Sequence, residues 1–165
     1  MNLKRVLIYF VGAILLSACS AKTDEYMLVS HPKEAELEHL LTVKVKQLSL
    51  QLLQSPYFSQ GSFKHSQPLR ILFPHVDIDI PVLGDDLQTT SAKVFARTGW
   101  FDIQVLDPKQ TNQISLVGRP GYLLAITLVP SDVGSSDHFK LTFQLINNKF
   151  NTVEIQAIDT FALTS

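Results

Sequence analysis

The chain has 165 residues, of which 45% are hydrophobic, and its formal net charge is −1. This length suits one globular domain and is short for two, and so small a charge does not indicate the clustered basic surface that nucleic-acid binding requires. The single cysteine excludes an intramolecular disulfide.

Residues 1–18 have the composition of a secretory signal peptide. Two basic residues, Lys4 and Arg5, precede the apolar run Val6–Leu16, and small residues follow that run. The apolar run is shorter than the about 20 residues that a membrane-spanning helix needs. We therefore expect residues 1–18 to be a removed leader.

The sequence Leu16-Ser17-Ala18-Cys19 resembles the lipobox of bacterial lipoproteins. The resemblance implies that Cys19 is acylated, with palmitate among its chains, and becomes the mature N-terminus. The residue after the cysteine is Ser20 rather than Asp. In the lipoprotein class this implies sorting to the outer membrane. Because each buried CH₂ contributes about 0.8 kcal/mol, several acyl chains hold a protein firmly. The expected location is the outer membrane, lipid-anchored and facing the periplasm; the alternative is a chance cysteine beside an ordinary cleavage site.

Residues 19–33 form a short polar tether after Cys19, and residues 34–165 form the single folded domain. A fully extended tether of this length reaches at most roughly 55 Å. The domain is thereby expected to stay near the membrane that holds its anchor.

A helix is predicted from the candidate N-cap Ser30 to the stop at Ser55-Pro56. Apolar residues recur along it at helical spacing, at Leu37, Leu41, Val45, Leu48 and Leu52. Binding of this apolar face to lipid is a less satisfactory explanation than packing on the domain's own sheet, because the first turn is acidic and anionic lipid would repel it.

The segment from Leu69 to Pro108 predicts a βαβ unit, in which a helix crosses between two parallel strands. Asp85 and Gln88 have the spacing of a capping box at the start of the crossover helix. Gly99 is the expected stop of that helix. Its inward stripe is predicted to consist of Leu87, Ser91, Val94, Phe95 and Thr98.

Three further strands complete the predicted sheet. Tyr122–Val129 is almost wholly apolar and belongs in the centre. A strand from Phe139 follows, with Phe139, Leu141, Phe143 and Leu145 inward. Thr152–Phe161 closes the meander after an asparagine-rich turn, with Val153, Ile155 and Ala157 inward.

The predicted fold class is therefore α+β. A mixed sheet of about five strands contains one parallel βαβ crossover followed by an antiparallel meander, and two helices pack on one face. A short helical turn fits within the polar connection Lys109–Pro120.

One polar constellation could bind a metal. His75, Asp77 and Asp79 alternate along the first predicted strand and share one face. Same-face neighbours are about 6.6 Å apart, so a metal site would need another ligand, and a solvated strand face is the simpler interpretation. We expect no metal and no cofactor.

The sequence contains no motif of a known catalytic class. It has no Gly-x-Ser-x-Gly elbow, no His-Glu-x-x-His helix, no P-loop and no Cys-x-x-Cys pair. The protein is therefore predicted not to be an enzyme, and a metal-dependent enzyme using His75, Asp77 and Asp79 is the last of three hypotheses.

The order helix, strand, helix, strand and meander resembles that of small outer-membrane lipoproteins: the LpoB-like activators of penicillin-binding proteins and the FlgO-like flagellar lipoproteins. Their folded cores resemble the N-terminal domain of the Tol-system propeller protein and the periplasmic part of curli secretion lipoproteins. The stretches that carry the resemblance are VKQLSLQLLQSP, RILFPHVDID, TTSAKVFARTGWFDIQVLD, GYLLAITL and FKLTFQLINN.

The first hypothesis for function is a non-enzymatic accessory of a flagellar or secretion-type envelope assembly, motivated by the short tether. The alternative, implied by the resemblance, is an activator of a penicillin-binding protein in peptidoglycan synthesis. Either partner could bind the exposed edge of the strand Thr152–Phe161 by strand addition, or the loop Tyr57–His65. The sequence leaves both surfaces open.

Overall fold

The computed structural model describes residues 32–60, 63–77, 83–113, 119–131 and 138–162. The predicted leader, the lipidation site Cys19 and most of the tether lie outside the described residues. Asp79 of the candidate metal constellation lies outside them too.

Helices and strands alternate at first, and antiparallel strands follow. In chain order the elements are α1 Pro32–Leu53, a 3₁₀ turn Pro56–Ser59, β1 Gln67–Ile71, β2 His75–Val76, α2 Leu83–Ala96, β3 Phe101–Val105, α3 Pro108–Gln113, β4 Tyr122–Pro130, β5 His138–Asn147 and β6 Thr152–Ala162.

The strands form one mixed six-stranded sheet in the order β3-β1-β4-β5-β6, and the short β2 pairs with β4. β1 runs parallel to both β3 and β4, and the pairs β4–β5 and β5–β6 are antiparallel. The predicted α+β class, the βαβ crossover and the central position of β4 are confirmed. The described sheet has six strands rather than about five, because the first predicted strand is divided in two.

β1 and β2 are separate strands because of the backbone hydrogen bonding of the three residues between them, Leu72, Phe73 and Pro74. The Leu72 amide still donates to the Leu124 carbonyl of β4, at 3.0 Å. The next amide, that of Phe73, donates instead to the Thr111 hydroxyl of α3, at 2.9 Å. Pro74 has no amide hydrogen to donate, so the chain leaves the sheet here and pairs with β4 again from β2.

The two long helices pack against the sheet and against each other. α1 contacts β5 and β6, and α2 contacts β3 and β2. The predicted apolar stripe of α1 is confirmed, since its five members are at most 3% exposed: Leu37, Leu41, Val45, Leu48 and Leu52. On the facing surface of the sheet, the inward residues of β5 predicted from the alternation are all buried.

The capping box predicted at Asp85 and Gln88 is wrong. α2 begins at Leu83, so Asp85 lies inside the first turn. The Asp-x-x-Gln pattern acts as a capping box at α3 instead. There the Gln110 amide donates to Asp107 Oδ1 at 2.7 Å, and the Asp107 amide donates to Gln110 Oε1 at 3.1 Å.

The C-terminal stop of α2 is as predicted. Gly99 has φ +66°, a left-handed conformation that glycine adopts without a steric penalty. Its amide donates to the Ala96 carbonyl at 3.3 Å. The chain can therefore turn directly from the helix into β3.

A β-bulge in β6 changes which of its residues face the helices. Leu145 of β5 pairs with Ile155, whereas the next residue, Ile146, pairs with Val153. Glu154 is thus an extra residue, and Val153 and Ile155 lie on opposite faces of the sheet despite their spacing of two. The inward prediction holds for Ile155 and Ala157, but it is wrong for Val153, which is 51% exposed.

Gln88 joins α2 to the carboxyl ends of the two parallel strands. Its side chain is 4% exposed. Its Nε2 donates to the carbonyl of Ile71, at 2.9 Å, and to the carbonyl of Leu106, at 2.8 Å. Because the Leu106 amide also donates to the Ile71 carbonyl, at 3.0 Å, the ends of β1 and β3 and the middle of α2 form one connected network.

We expect Gln88→Leu to lower the free energy of unfolding by about 1–3 kcal/mol, because the buried Leu106 carbonyl would lose its donor. Gln88→Glu should be more destabilising at neutral pH, where a carboxylate would face two carbonyl oxygens. Burial would raise the pKa of the introduced carboxyl, so its destabilisation should grow as the pH rises above about 4.

Urea unfolding of the purified chain at several pH values measures both effects. The control is Gln104→Leu on the exposed part of β3, which should change the free energy of unfolding by no more than about 0.5 kcal/mol. Equal effects of Gln88→Leu and Gln104→Leu would contradict the role assigned to the Gln88 carboxamide.

Candidate functional site

β6 lies at one edge of the sheet and offers its backbone for pairing. It extends from Thr152 to Ala162, with β5 on one side. On the other side, no strand within the described ranges pairs with it. An edge strand presents backbone N–H and C=O groups without strand partners, and these groups are a template for a further strand.

β6 lacks two of the residue types that protect edge strands, although it has a β-bulge at Glu154 and the inward-pointing Asp159. Lysine and proline commonly protect edge strands, and the sequence of β6, TVEIQAIDTFA, has neither. Val153 and Ile158 are 51% and 46% exposed. Both lie on the face of the sheet opposite the two helices, since they pair with Ile146 and Thr142 of β5.

The inner side of β6 is fixed to the domain. Ala157 and Phe161 are buried in the core. Lys44 of α1 forms an ion pair with Asp159, with 2.8 Å between Nζ and Oδ2. These contacts fix β6 to the rest of the domain. Its free edge is therefore already in a strand conformation when a partner strand arrives.

Gln88 lies at the carboxyl ends of the parallel strands, the end at which open α/β sheets bind ligands. There its carboxamide donates hydrogen bonds to the carbonyls of Ile71 and Leu106. The sequence analysis missed this role because the spacing of Gln88 from Asp85 matched a helix cap.

The candidate metal residues are placed at an exposed site. His75 and Asp77 are both exposed on and beside β2, where the Asp77 amide donates to the Leu128 carbonyl at 2.9 Å. Asp79 is outside the described residues. In the part of the chain that the structure describes, no three His, Cys, Asp or Glu side chains come together as a candidate metal site.

The second surface suggested by the sequence, the loop Tyr57–His65, contributes its aromatic side chains to the core. Phe58 and Phe63 are 9% and 8% exposed, and their ring centroids are 4.9 Å apart. These rings belong to an aromatic cluster at the end of the sheet where the parallel strands begin. The cluster consists of Tyr57, Phe58, Phe63, Trp100, Phe101 and Tyr122. The buried aromatics of this loop are thus unavailable to a partner.

A tyrosine pair lies within this cluster. The hydroxyls of Tyr57 and Tyr122 are hydrogen-bonded at 3.0 Å. Burial raises the pKa of the Tyr57 hydroxyl well above its ordinary value, and the hydrogen bond and electrostatic interaction with Tyr122 and the nearby Glu154 raise it further. Tyr57 therefore stays neutral and hydrogen-bonded where an exposed tyrosine would begin to ionise.

Comparison with known proteins gives similarity of structure only. No protein-family model and no curated protein sequence matches the chain. The fold is similar to the C-terminal domain of LpoB from Salmonella enterica, with 12% identity, a TM-score of 0.49, and coverage of 72% of this chain and 96% of that one. LpoB from Escherichia coli has 9% identity and a TM-score of 0.49, with coverage of 74% and 98%.

A PelC dodecamer from Paraburkholderia phytofirmans is a more distant match, with 13% identity and a TM-score of 0.43 over 61% of this chain and 74% of that one. The LpoB domains that the sequence resemblance names are thus among the solved structures to which this fold is similar. Among the described helices, none has the length and apolar character needed to cross a bilayer.

The raised pKa of Tyr57 predicts a loss of stability at alkaline pH. A group whose pKa is higher in the folded state contributes full stability below its unfolded pKa, about 10 for tyrosine, and loses it as the pH rises further. The free energy of unfolding should therefore fall above about pH 10, and Tyr57→Phe should make that fall shallower. Urea unfolding at a series of alkaline pH values is the measurement.

Tyr122→Phe is the matched control, since it removes the hydrogen bond but leaves the Tyr57 hydroxyl partly buried. In Tyr122→Phe, the decrease in the free energy of unfolding above about pH 10 should lie between the decreases in the wild type and in Tyr57→Phe. The reason is that burial is the largest cause of the raised pKa of Tyr57. If the free energy of unfolding of Tyr57→Phe falls as steeply at alkaline pH as that of the wild type, a group other than Tyr57 causes the loss of stability.

Proposed function

We propose that this chain is a non-enzymatic, lipid-anchored accessory protein that binds a protein of the cell envelope through the edge of β6. The observation that carries the proposal is the long strand β6, whose outer edge pairs with no described strand and beside which Val153 and Ile158 are exposed. An extended partner segment would gain main-chain hydrogen bonds along β6, and its alternate side chains would contact these two apolar residues.

The interior of the domain supports binding rather than catalysis. At the carboxyl ends of β1 and β3, where an α/β enzyme would hold a substrate, the Gln88 carboxamide donates to two backbone carbonyls. Tyr57, the described side chain with a clearly shifted pKa, is held neutral in the aromatic cluster by burial and by Tyr122. Its raised pKa disfavours a role as a base near neutral pH.

The anchor is proposed from the sequence. Leu16-Ser17-Ala18-Cys19 has the lipobox pattern, and acylation of Cys19 would place the domain at the outer membrane, facing the periplasm. The short segment 19–33 would then keep the start of α1 within roughly 55 Å of the membrane surface.

Two classes of partner fit this placement. A peptidoglycan synthase comes first, because the sequence resembles the LpoB-like activators of penicillin-binding proteins. A flagellar or secretion component is the second, because the short tether favours a partner close to the outer membrane. Both would be bound by the same edge strand, so identification of the bound protein decides between them.

Photo-crosslinking in cells tests the proposal directly. A photoreactive amino acid is placed at Ile158 on β6 or, as the matched control, at Gln104 on β3, the opposite edge strand. We expect a discrete adduct from Ile158 that is absent from Gln104. Mass spectrometry of that adduct then identifies a peptidoglycan synthase or a flagellar or secretion component.

Absence of any adduct from Ile158, or the same adducts from Gln104, would contradict binding through β6. The anchor is tested in the same cells by labelling with a palmitate analogue. The label should be incorporated by the wild type and lost in Cys19→Ser, and incorporation into Cys19→Ser would disprove the lipidation site.

A further inference from the structure

The two helices form a groove on their solvent side that the proposed function does not use. It has a volume of about 420 Å³ and is lined by residues of α1 and α2. This volume is within the range of about 300–1,000 Å³ that is usual for binding sites. The groove lies between the two helices, and β6 lies at an edge of the sheet. They are therefore separate surfaces.

The groove is basic. Lys46 of α1, Lys93 of α2 and Arg97, just after the end of α2, line it, and none of its described lining residues is a carboxylate. All three residues are exposed, and in the described part of the chain none of them forms an ion pair. The whole chain has a formal net charge of −1, so this concentration of positive charge is a local feature.

The groove is also apolar. Leu50, Leu53 and Val94 are among its lining residues. Leu50 is 50% exposed, and the other two are partly buried. A free anion would leave these apolar side chains in water, whereas a segment with its own apolar side chains would cover them.

We propose that this groove binds an acidic, amphipathic helical segment of a partner protein. Carboxylates of the segment would pair with Lys46, Lys93 and Arg97, and its apolar side chains would cover Leu50 and Val94. A groove lined by side chains of two helices suits the helix-in-groove mode of recognition. Charge complementarity selects acidic over basic segments.

This inference rests on the proposed function only in that both require a protein partner, and it concerns a second surface. Binding to the groove depends on residues of α1 and α2, and binding to the edge depends on β6. Variants of one surface therefore leave the other intact, and failure of either proposal is distinguishable from failure of the other.

The test is a fluorescence anisotropy titration of the purified full chain with a labelled helical peptide of about 18 residues, long enough to form a helix. The probe has Leu and Glu on one face and Ala elsewhere. Its twin has Gln in place of every Glu, so that shape is kept and charge is removed. We expect the Glu peptide to bind at least about tenfold more tightly at low salt.

Charge-reversal variants locate the binding site. Lys93→Glu combined with Arg97→Glu should weaken binding of the Glu peptide about tenfold or more. Lys64→Glu combined with Lys140→Glu is the matched control, because both residues are exposed, lie outside the groove and make the same change in net charge. That control should keep the wild-type affinity within about threefold.

Three results would overturn the inference: equal affinity for the Glu and Gln peptides, no binding of either, or equal weakening by the two pairs of variants. In a parallel assay, vesicles containing phosphatidylglycerol test an anionic membrane as the occupant. Vesicle binding that depends on Lys93 and Arg97, without binding of the Glu peptide, would also overturn it. Circular dichroism of each variant checks that the fold is kept.

Discussion

Gln88 donates two hydrogen bonds across the point where the parallel strands end, and the arrangement of the domain depends on them. One carboxamide links α2 to β1 and to the residue after β3. With the Leu106 amide bonded to the Ile71 carbonyl, the carbonyls of Ile71 and Leu106 and the Leu106 amide all have partners within the protein. Under the proposed function, the domain binds its partners through its outer surfaces.

Two such surfaces are available, and they differ in chemistry. The β6 edge offers backbone hydrogen bonds beside the exposed apolar residues Val153 and Ile158. The groove between α1 and α2 offers positive charge and partly buried apolar side chains instead. An extended segment suits the first and an acidic helix suits the second, so one partner with both features could bind both, or two partners could bind at once.

Periodicity in the sequence was sufficient to predict the elements and most of their buried faces. The spacing of Leu37 to Leu52 and the alternation along β5 each depend on local geometry alone, and the structure confirms both. The sequence could not distinguish the two Asp-x-x-Gln patterns, because the partners of Gln88 are carbonyls 17 and 18 residues away in the chain. Nor could it show the bulge at Glu154, which depends on pairing with β5 and moves Val153 to the open face. Both errors concern residues used in the proposed function: Gln88 bonds to the ends of the parallel strands, and Val153 belongs to the candidate binding edge.

Hydrogen–deuterium exchange of the full chain, alone and with the partner recovered by crosslinking, tests the central claim most directly. Added protection on binding should appear in peptides covering β6. The opposite edge strand, β3, is the internal reference and should exchange equally with and without the partner. Protection confined to β3, or unchanged exchange in β6, would contradict an account in which this domain acts through the edge of its sheet.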